Sequence, residues 1–440
     1  MISDILWVLV FIICVFFSLR SPYIAIYTVI FADIFKPQQL SYSFLAGKPL
    51  SMGLTTVLLI SLLINARKLQ APKAPSITAL LIIFIGWLTY TTSTAQFPGP
   101  AWFKYDYAVK TIIMTLAIPF VLNTRLKIEM SICAIIAGIS YYVVVGGMRT
   151  ALGQAGYGMP LVPTPLGDSE IVETSTLSMV AVFTIPMILY IRNHSLFRDR
   201  VPFLKSLSLF LIACCLLTVI GTYARTGLIG LFILLLLYFL TSQHKIKIAV
   251  GSIALVAGMF MWASDGYVSR MKTLENATEE SSALGRILVW RWTIDYVSER
   301  PFTGGGFDSY IANAGELNQY LQSDVNVSLK PNQPKAFHNI FFEVLGEQGY
   351  VGLFIYLLLI FRAWQLNWRL SRDKSADRAL RSLAMTLQYA LVIYCACGMF
   401  IGVAYAPWVF YFIGISSSLQ NVLAAPQKGP KSRIEKQAIL

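Results

Sequence analysis

Apolar runs long enough to cross a lipid bilayer recur from one end of this chain to the other, and that pattern leaves few folds open to it. A spanning helix takes roughly 20 apolar residues. Such runs lie near residues 4–19, 51–65, 76–95, 106–122, 127–148 and 173–191 in the first half. They return near 204–223, 226–242, 246–264, 349–367, 382–403 and 406–424, which makes twelve. The stretch Pro22 to Phe35 is short and carries Asp33, so it fits a re-entrant or interfacial piece, with thirteen spans as the alternative.

Composition agrees, because 56% of the 440 residues are hydrophobic and 13% charged, well outside the usual mix of a soluble domain. The expected fold class is an all-α polytopic membrane protein, one integral domain over residues 1–440. Met1 to Leu19 has no basic flank and no small-residue cleavage site, so it reads as a retained first helix rather than a removable signal.

Lys and Arg are retained on the cytoplasmic side in short loops, and alternate loops here differ strongly in them. Arg67, Lys68 and Lys73, then Arg125 and Lys127, then Arg192 to Lys205, mark one side. Lys245 and Lys247, the run from Arg362 to Arg381 and the basic tail over 425–440 continue it. The Gly/Pro-rich segment from Arg149 to Glu173 and one large loop over 265–337 belong to the opposite, periplasmic side. The net charge of +13 thus comes largely from topology signals facing an anionic leaflet, and no basic helix or aromatic platform suggests nucleic acid.

Long loops in compact proteins are usually functional or disordered, and this one is rich in aromatic and paired charged residues. Ile287, Trp290, Ile294 and Val297 recur at helical spacing before Pro301, which predicts a short amphipathic helix along the outer membrane surface. The six cysteines lie inside apolar runs and read as small core residues; Cys395 and Cys397 lack zinc spacing. No Asp-x-Asp pair occurs, Asp168 to Glu170 only approximating one, and no Walker stretch is present, so neither a metal nor a cofactor is expected.

Of the three histidines, His194 and His244 fall in basic cytoplasmic loops, and only His338 faces the other side. It ends the long loop just before an apolar run, where an imidazole could serve as a base at the water–membrane boundary or simply cap the next helix. Glu343 and Glu347 stand one turn apart beyond it; either could orient His338 or an arginine, but the preference for acids at a helix start explains them equally well.

From His338 the chain reads HNIFFEVLGEQGYVG: His-Asn, nine residues, Gly349, two residues, Gly352. This resembles the signature of the O-antigen ligase family. Arg286 with Trp290, Pro301 and the run Gly304 to Gly306 are similar to the family's preceding loop, and Arg225 in TYARTG extends the likeness to about residues 218–365.

The resemblance implies a glycosyltransferase C-type helical fold with about twelve spans and one large periplasmic loop, in the bacterial inner membrane. It implies transfer of a glycan from undecaprenyl pyrophosphate to a hydroxyl of the lipid A-core, with inversion and without a metal. His338 is then the general base, and Arg225 and Arg286, with Arg291 third, bind the pyrophosphate. Asn339 would orient the histidine or bind sugar, and Gly349 and Gly352 would allow close approach of backbone or lipid. O-antigen polymerases and ligases that glycosylate protein hydroxyls share these features. A lipid or polysaccharide transporter is a rival of another class, but no two-halves repeat is evident, and the charges concentrate around one loop.

Overall fold

The protein is described here by a computed structural model covering residues 2–155, 160–165, 170–262, 278–320 and 333–424. Among them the regular elements are helical, with no strand. The first half contains α1 (Ile2–Arg20), α2 (Pro22–Phe35), α3 (Pro37–Leu40), α4 (Leu50–Ile64), α5 (Pro75–Ser93), α6 (Pro98–Val121), α7 (Arg125–Ala151) and α8 (Thr174–His194). The second contains α9 (Leu204–Gly221), α10 (Arg225–Thr241), α11 (Lys245–Trp262), α12 (Thr278–Ser298), α13 (Ile340–Arg372), α14 (Arg378–Gly398) and α15 (Pro407–Ala424).

Every expected apolar run is helical. Six helices among the described residues, α5, α7, α8, α9, α13 and α14, are long and apolar enough to cross a membrane. The tail over 425–440, Asp168 and the parts of the long loop over 263–277 and 321–332 lie outside the described residues.

Local chemistry sets several boundaries. Pro stands at the first position of α2, α5 and α6, where its missing N–H has no partner to lose. Asp377 caps α14 through the Ala379 N–H at 2.7 Å. Helix α8 is buried almost all round, against α7, α9, α10 and α14. By contrast, α1 turns Leu6, Ile12 and Ile13 outward, each more than half exposed, a surface suited to lipid rather than water.

Cross-chain contacts sort the loops onto two ends of the bundle. At one, Lys68 Nζ donates to Arg20 O, Tyr27 OH to Lys127 O, and Arg125 pairs with Asp377 at 3.6 Å. At the other, Asp4 accepts from Ser41 and the Leu45 N–H, and Lys36 pairs with Glu170 at 3.7 Å. Loops expected to share a side therefore gather together.

Helix α2 runs between these ends, since Tyr27 is tied to Lys127 and Lys36, just past its C-terminus, to Glu170. It is a buried 14-residue helix packed on α1, α4 and α7, not a piece lying flat at an interface. Asp33 is tolerated there because the Tyr411 hydroxyl donates to it at 2.5 Å. Buried Glu129 is handled likewise, accepting from Arg125 Nε, Tyr190 OH and the Leu196 N–H at 2.8–2.9 Å, which ties α7 to α8 and the following turn.

Candidate functional site

The site grows from the chain that leads into α13. Helix α12 forms where a short amphipathic helix was predicted, but it is longer, its apolar residues are not gathered on one face, and its buried face is not the predicted one. Leu288, Val289, Trp292 and Val297 are buried, whereas Ile287 and Ile294 are exposed. Packing decides this: Val289 and Trp292 form a small core with Leu317 and Phe337, and Trp292 Nε1 donates to Glu316 at 2.6 Å. Trp290 stacks on Phe342 with ring centroids 5.2 Å apart, and its indole donates to Phe337 O at 2.9 Å. Asn313 grips both backbone groups of Lys335, donating to its carbonyl at 2.7 Å and accepting from its N–H at 2.9 Å. Residues 335–337 are therefore fixed on both sides.

His338 follows with φ 47°, a left-handed conformation that costs a non-glycine residue of order 1–3 kcal/mol and persists only where its surroundings impose it. The next residue supplies one constraint. Asn339 is buried and caps α13, accepting from the Phe341 and Phe342 N–H groups at 2.8 and 3.3 Å. Its side chain is thus committed to the helix start, and neither the orienting nor the sugar-binding role expected for it is visible. Asn339→Ala should lower stability by about 1 kcal/mol, whereas Asn339→Asp, an equally good cap, should restore it in a thermal-shift assay.

The imidazole is exposed on one side and crowded on the other. Desolvation, then the positive charge of Arg286, holds its pKa below the ordinary value of 6.5. Lys335 adds to this depression, while Glu173 and Glu343 oppose it. The charges of Arg286 and Lys335 thus bear on the imidazole, and burial and Arg286 likewise depress the Lys335 ammonium. A neutral imidazole next to fixed positive charge can accept a proton while an anion is held alongside.

The other predicted arginines lie differently. Arg225 is exposed at the first position of α10. Its neighbour Thr226 accepts from Cys397 Sγ at 3.4 Å, and Gly398 packs against Ile340, so the first turn of α10 shares an end of the bundle with His338. Arg291 is exposed on α12, roughly 140° around the axis from Arg286 at 3.6 residues per turn, so the two leave the helix in different directions.

Gly349 is a joint inside α13, with φ 65° and ψ −171°, dividing the segment 340–348 from the longer helix beyond. The break frees carbonyls, and the three-glycine run takes them: Gly305 N–H donates to Gly346 O and Gly306 N–H to Glu347 O, both at 2.9 Å. Trp87 Nε1 takes Gln348 O at 3.0 Å, and the Tyr350 N–H returns to Pro301 O at 2.8 Å. The close approach expected at this glycine is thus one of backbone to backbone. Gly352 gives room to the Trp87 indole.

One cluster lay outside the expected site. Lys104 of α6 places Nζ 2.8 Å from Glu343, 2.7 Å from Glu347 and 3.5 Å from Asp308. Glu343 also accepts the Ala404 N–H at 3.0 Å, and Glu347 the Asp308 N–H at 3.0 Å. The one-turn spacing of the two glutamates was the available signal; nothing in the sequence pointed to the lysine. Among the described residues no group of His, Cys, Asp or Glu is placed to hold a metal ion.

Residues 210–357 match the family model described as O-antigen ligase, and residues 2–196 match a family of unknown function, DUF5935. No curated protein matches the chain. The first of these matches shows that residues 210–357 are similar to the O-antigen ligase family. It contains His338, Asn339, Arg225, Arg286, Arg291, Gly349 and Gly352.

Proposed function

We propose that this chain is a multi-pass inner-membrane glycosyltransferase that transfers a glycan from undecaprenyl pyrophosphate to a hydroxyl of the lipid A-core at the periplasmic face. The observation that carries the reading is His338 held beside Arg286 and Lys335 inside the segment matching the O-antigen ligase family. Span count and sidedness belong to the same proposal. Loop charge favours the His338 end as periplasmic, and α2 running between the two ends favours thirteen crossings over twelve.

In the proposed reaction His338 removes the acceptor hydroxyl proton as that oxygen attacks the anomeric carbon. The new glycosidic C–O bond forms on the face opposite the leaving group, so the anomeric centre inverts. The bond to the pyrophosphate oxygen breaks, and the electron pair leaves with the lipid pyrophosphate. Arg286, Lys335 and Arg225 stabilise the charge that develops there, with guanidinium groups well matched to phosphate oxygens. No cofactor or metal is assigned a part.

The test is to incubate the purified protein with undecaprenyl-pyrophosphate glycan and lipid A-core in EDTA and to identify the product. Glycosylated lipid A-core supports the ligase; a lengthened donor glycan would identify a polymerase instead, and loss of activity in EDTA would refute the metal-free mechanism. Arg286→Ala should lower kcat/KM by about 10²-fold or more, the scale of losing one charge-stabilising donor. Because Arg286 depresses the His338 pKa, its removal should also move the acid limb of the rate profile to higher pH. Arg291→Ala should stay within a few-fold of wild type on the same scale.

A further inference from the structure

Lys104 sits where four segments meet. It is on α6; Glu343 and Glu347 are on the short first part of α13, Asp308 is on the outer loop, and Ala404 and Tyr405 follow α14. Its ammonium also lies 5.4 Å from the Tyr405 ring centroid and 5.9 Å from that of Phe307. The neighbouring Gln348 is held by α5, accepting from the Thr91 hydroxyl through its side chain and from Trp87 through its carbonyl.

Three carboxylates around one ammonium is costly to bury and makes poor sense as a stability device alone, since apolar residues of similar volume usually do as well. What the arrangement does supply is register. The short segment 340–348 meets the rest of α13 at the Gly349 joint, and Lys104 ties it at two successive turns, Glu343 and Glu347. His338 immediately precedes the residue that caps that segment.

Glu343 is the link to the imidazole. One carboxylate oxygen takes Lys104, and the other takes the Ala404 N–H. A side chain at Gly402 would start 3.5 Å from that second oxygen and 3.7 Å from the His338 backbone nitrogen, so Gly402 separates the two with nothing larger in between. The groups facing the imidazole are then Arg286 from α12, Lys335 from the segment before it, Glu173 from the start of α8 and Glu343 from α13.

We propose that Lys104 and Glu343 are positioning residues for His338: the Lys104–Glu343 pair sets the register of the segment that follows His338. Neither touches the substrate. The inference rests on His338 acting as a base in the proposed transfer, so the same assay includes wild type and His338→Ala. Product from wild type and none from His338→Ala upholds that reading whatever the other variants do.

Glu343→Gln keeps an acceptor for the Ala404 N–H and removes the charge. The expected result is KM for both substrates within about twofold of wild type and kcat lowered by about tenfold, as for a weakened general base. Because Glu343 raises the His338 pKa, the acid limb of kcat should move to lower pH. Lys104→Arg, which keeps the charge, should retain activity within about threefold, while Lys104→Met loses more than about tenfold per folded molecule. A Glu343→Gln profile superimposable on wild type, or equal specific activities for Lys104→Arg and Lys104→Met, would overturn the proposal and leave a purely structural ion cluster. Should Glu343→Gln not fold, the Lys104 pair decides alone.

Discussion

His338→Ala is expected to lower the transfer rate by about 10²–10⁴-fold, the usual contribution of a positioned general base, while the protein stays folded. Folding should survive because, among the described residues, no hydrogen bond of the imidazole enters the surrounding framework: Trp290 bonds the carbonyl of residue 337, and the cap of α13 comes from residue 339. The left-handed backbone at 338 complicates alanine slightly. His338→Asn, a residue that tolerates that conformation better, provides the control. Both variants should elute and melt like wild type and both should be inactive. An active, folded His338→Asn would remove the histidine from the mechanism. In wild type the depressed pKa also has a consequence: the base remains neutral, and the rate should hold, to pH values below the ordinary histidine range.

The helical elements were legible because membrane solvation makes local composition decisive: a run that cannot expose its backbone to lipid must be a helix, whatever its neighbours are. Helix α2 is harder because Asp33 and its 14 residues argue against crossing, and only the Tyr411 hydroxyl and the contacts of α1, α4 and α7 make it a buried helix. Of these partners, α7 and Tyr411 lie far away in the chain. The rotated face of α12 has a similar cause: Ile287 and Ile294 satisfy helical periodicity as well as Val289 and Trp292 do, and the choice was made by Leu317 and Phe337.

The candidate site divides in the same way. His338 and Arg286 were readable from residue type and motif spacing, and the charge of Arg286 bears on the imidazole. Asn339 looked like a polar group available to substrate, yet a side chain that opens a helix is claimed by the nearest unpaired N–H groups. Lys104 was illegible because its meaning depends on Glu343 and Glu347, 239 and 243 positions away. A lysine near the start of an apolar helix otherwise reads as a snorkelling charge. Arg291 lies roughly 140° around α12 from Arg286, so the helix turns the two arginines in different directions.

Gly349→Ala is expected to be the most damaging single-methyl change in the chain. Its φ of 65° with ψ of −171° lies in a region that side-chain-bearing residues almost never occupy, at a cost of order 1–3 kcal/mol. The added carbon would also be driven onto the Phe302 carbonyl, and it would stand 2.8 Å from the Gly304 nitrogen. Overpacking of that kind typically adds about 1–3 kcal/mol, and here both neighbours are backbone, the Gly304 N–H being itself bonded to Arg300 O. Relief would require the outer loop to lift from the joint, releasing the bonds from Gly305 and Gly306 to Gly346 and Glu347. That would slacken the segment carrying Glu343 and His338. Gly86→Ala on α5, where the methyl meets open space, should be neutral or stabilising by up to about 1 kcal/mol. A thermal-shift comparison of the two in detergent should therefore separate them widely, with Gly349→Ala poorly folded and inactive. Similar melting and activity for both would mean that the joint is dispensable and that the segment bearing His338 is aimed by something other than Gly349.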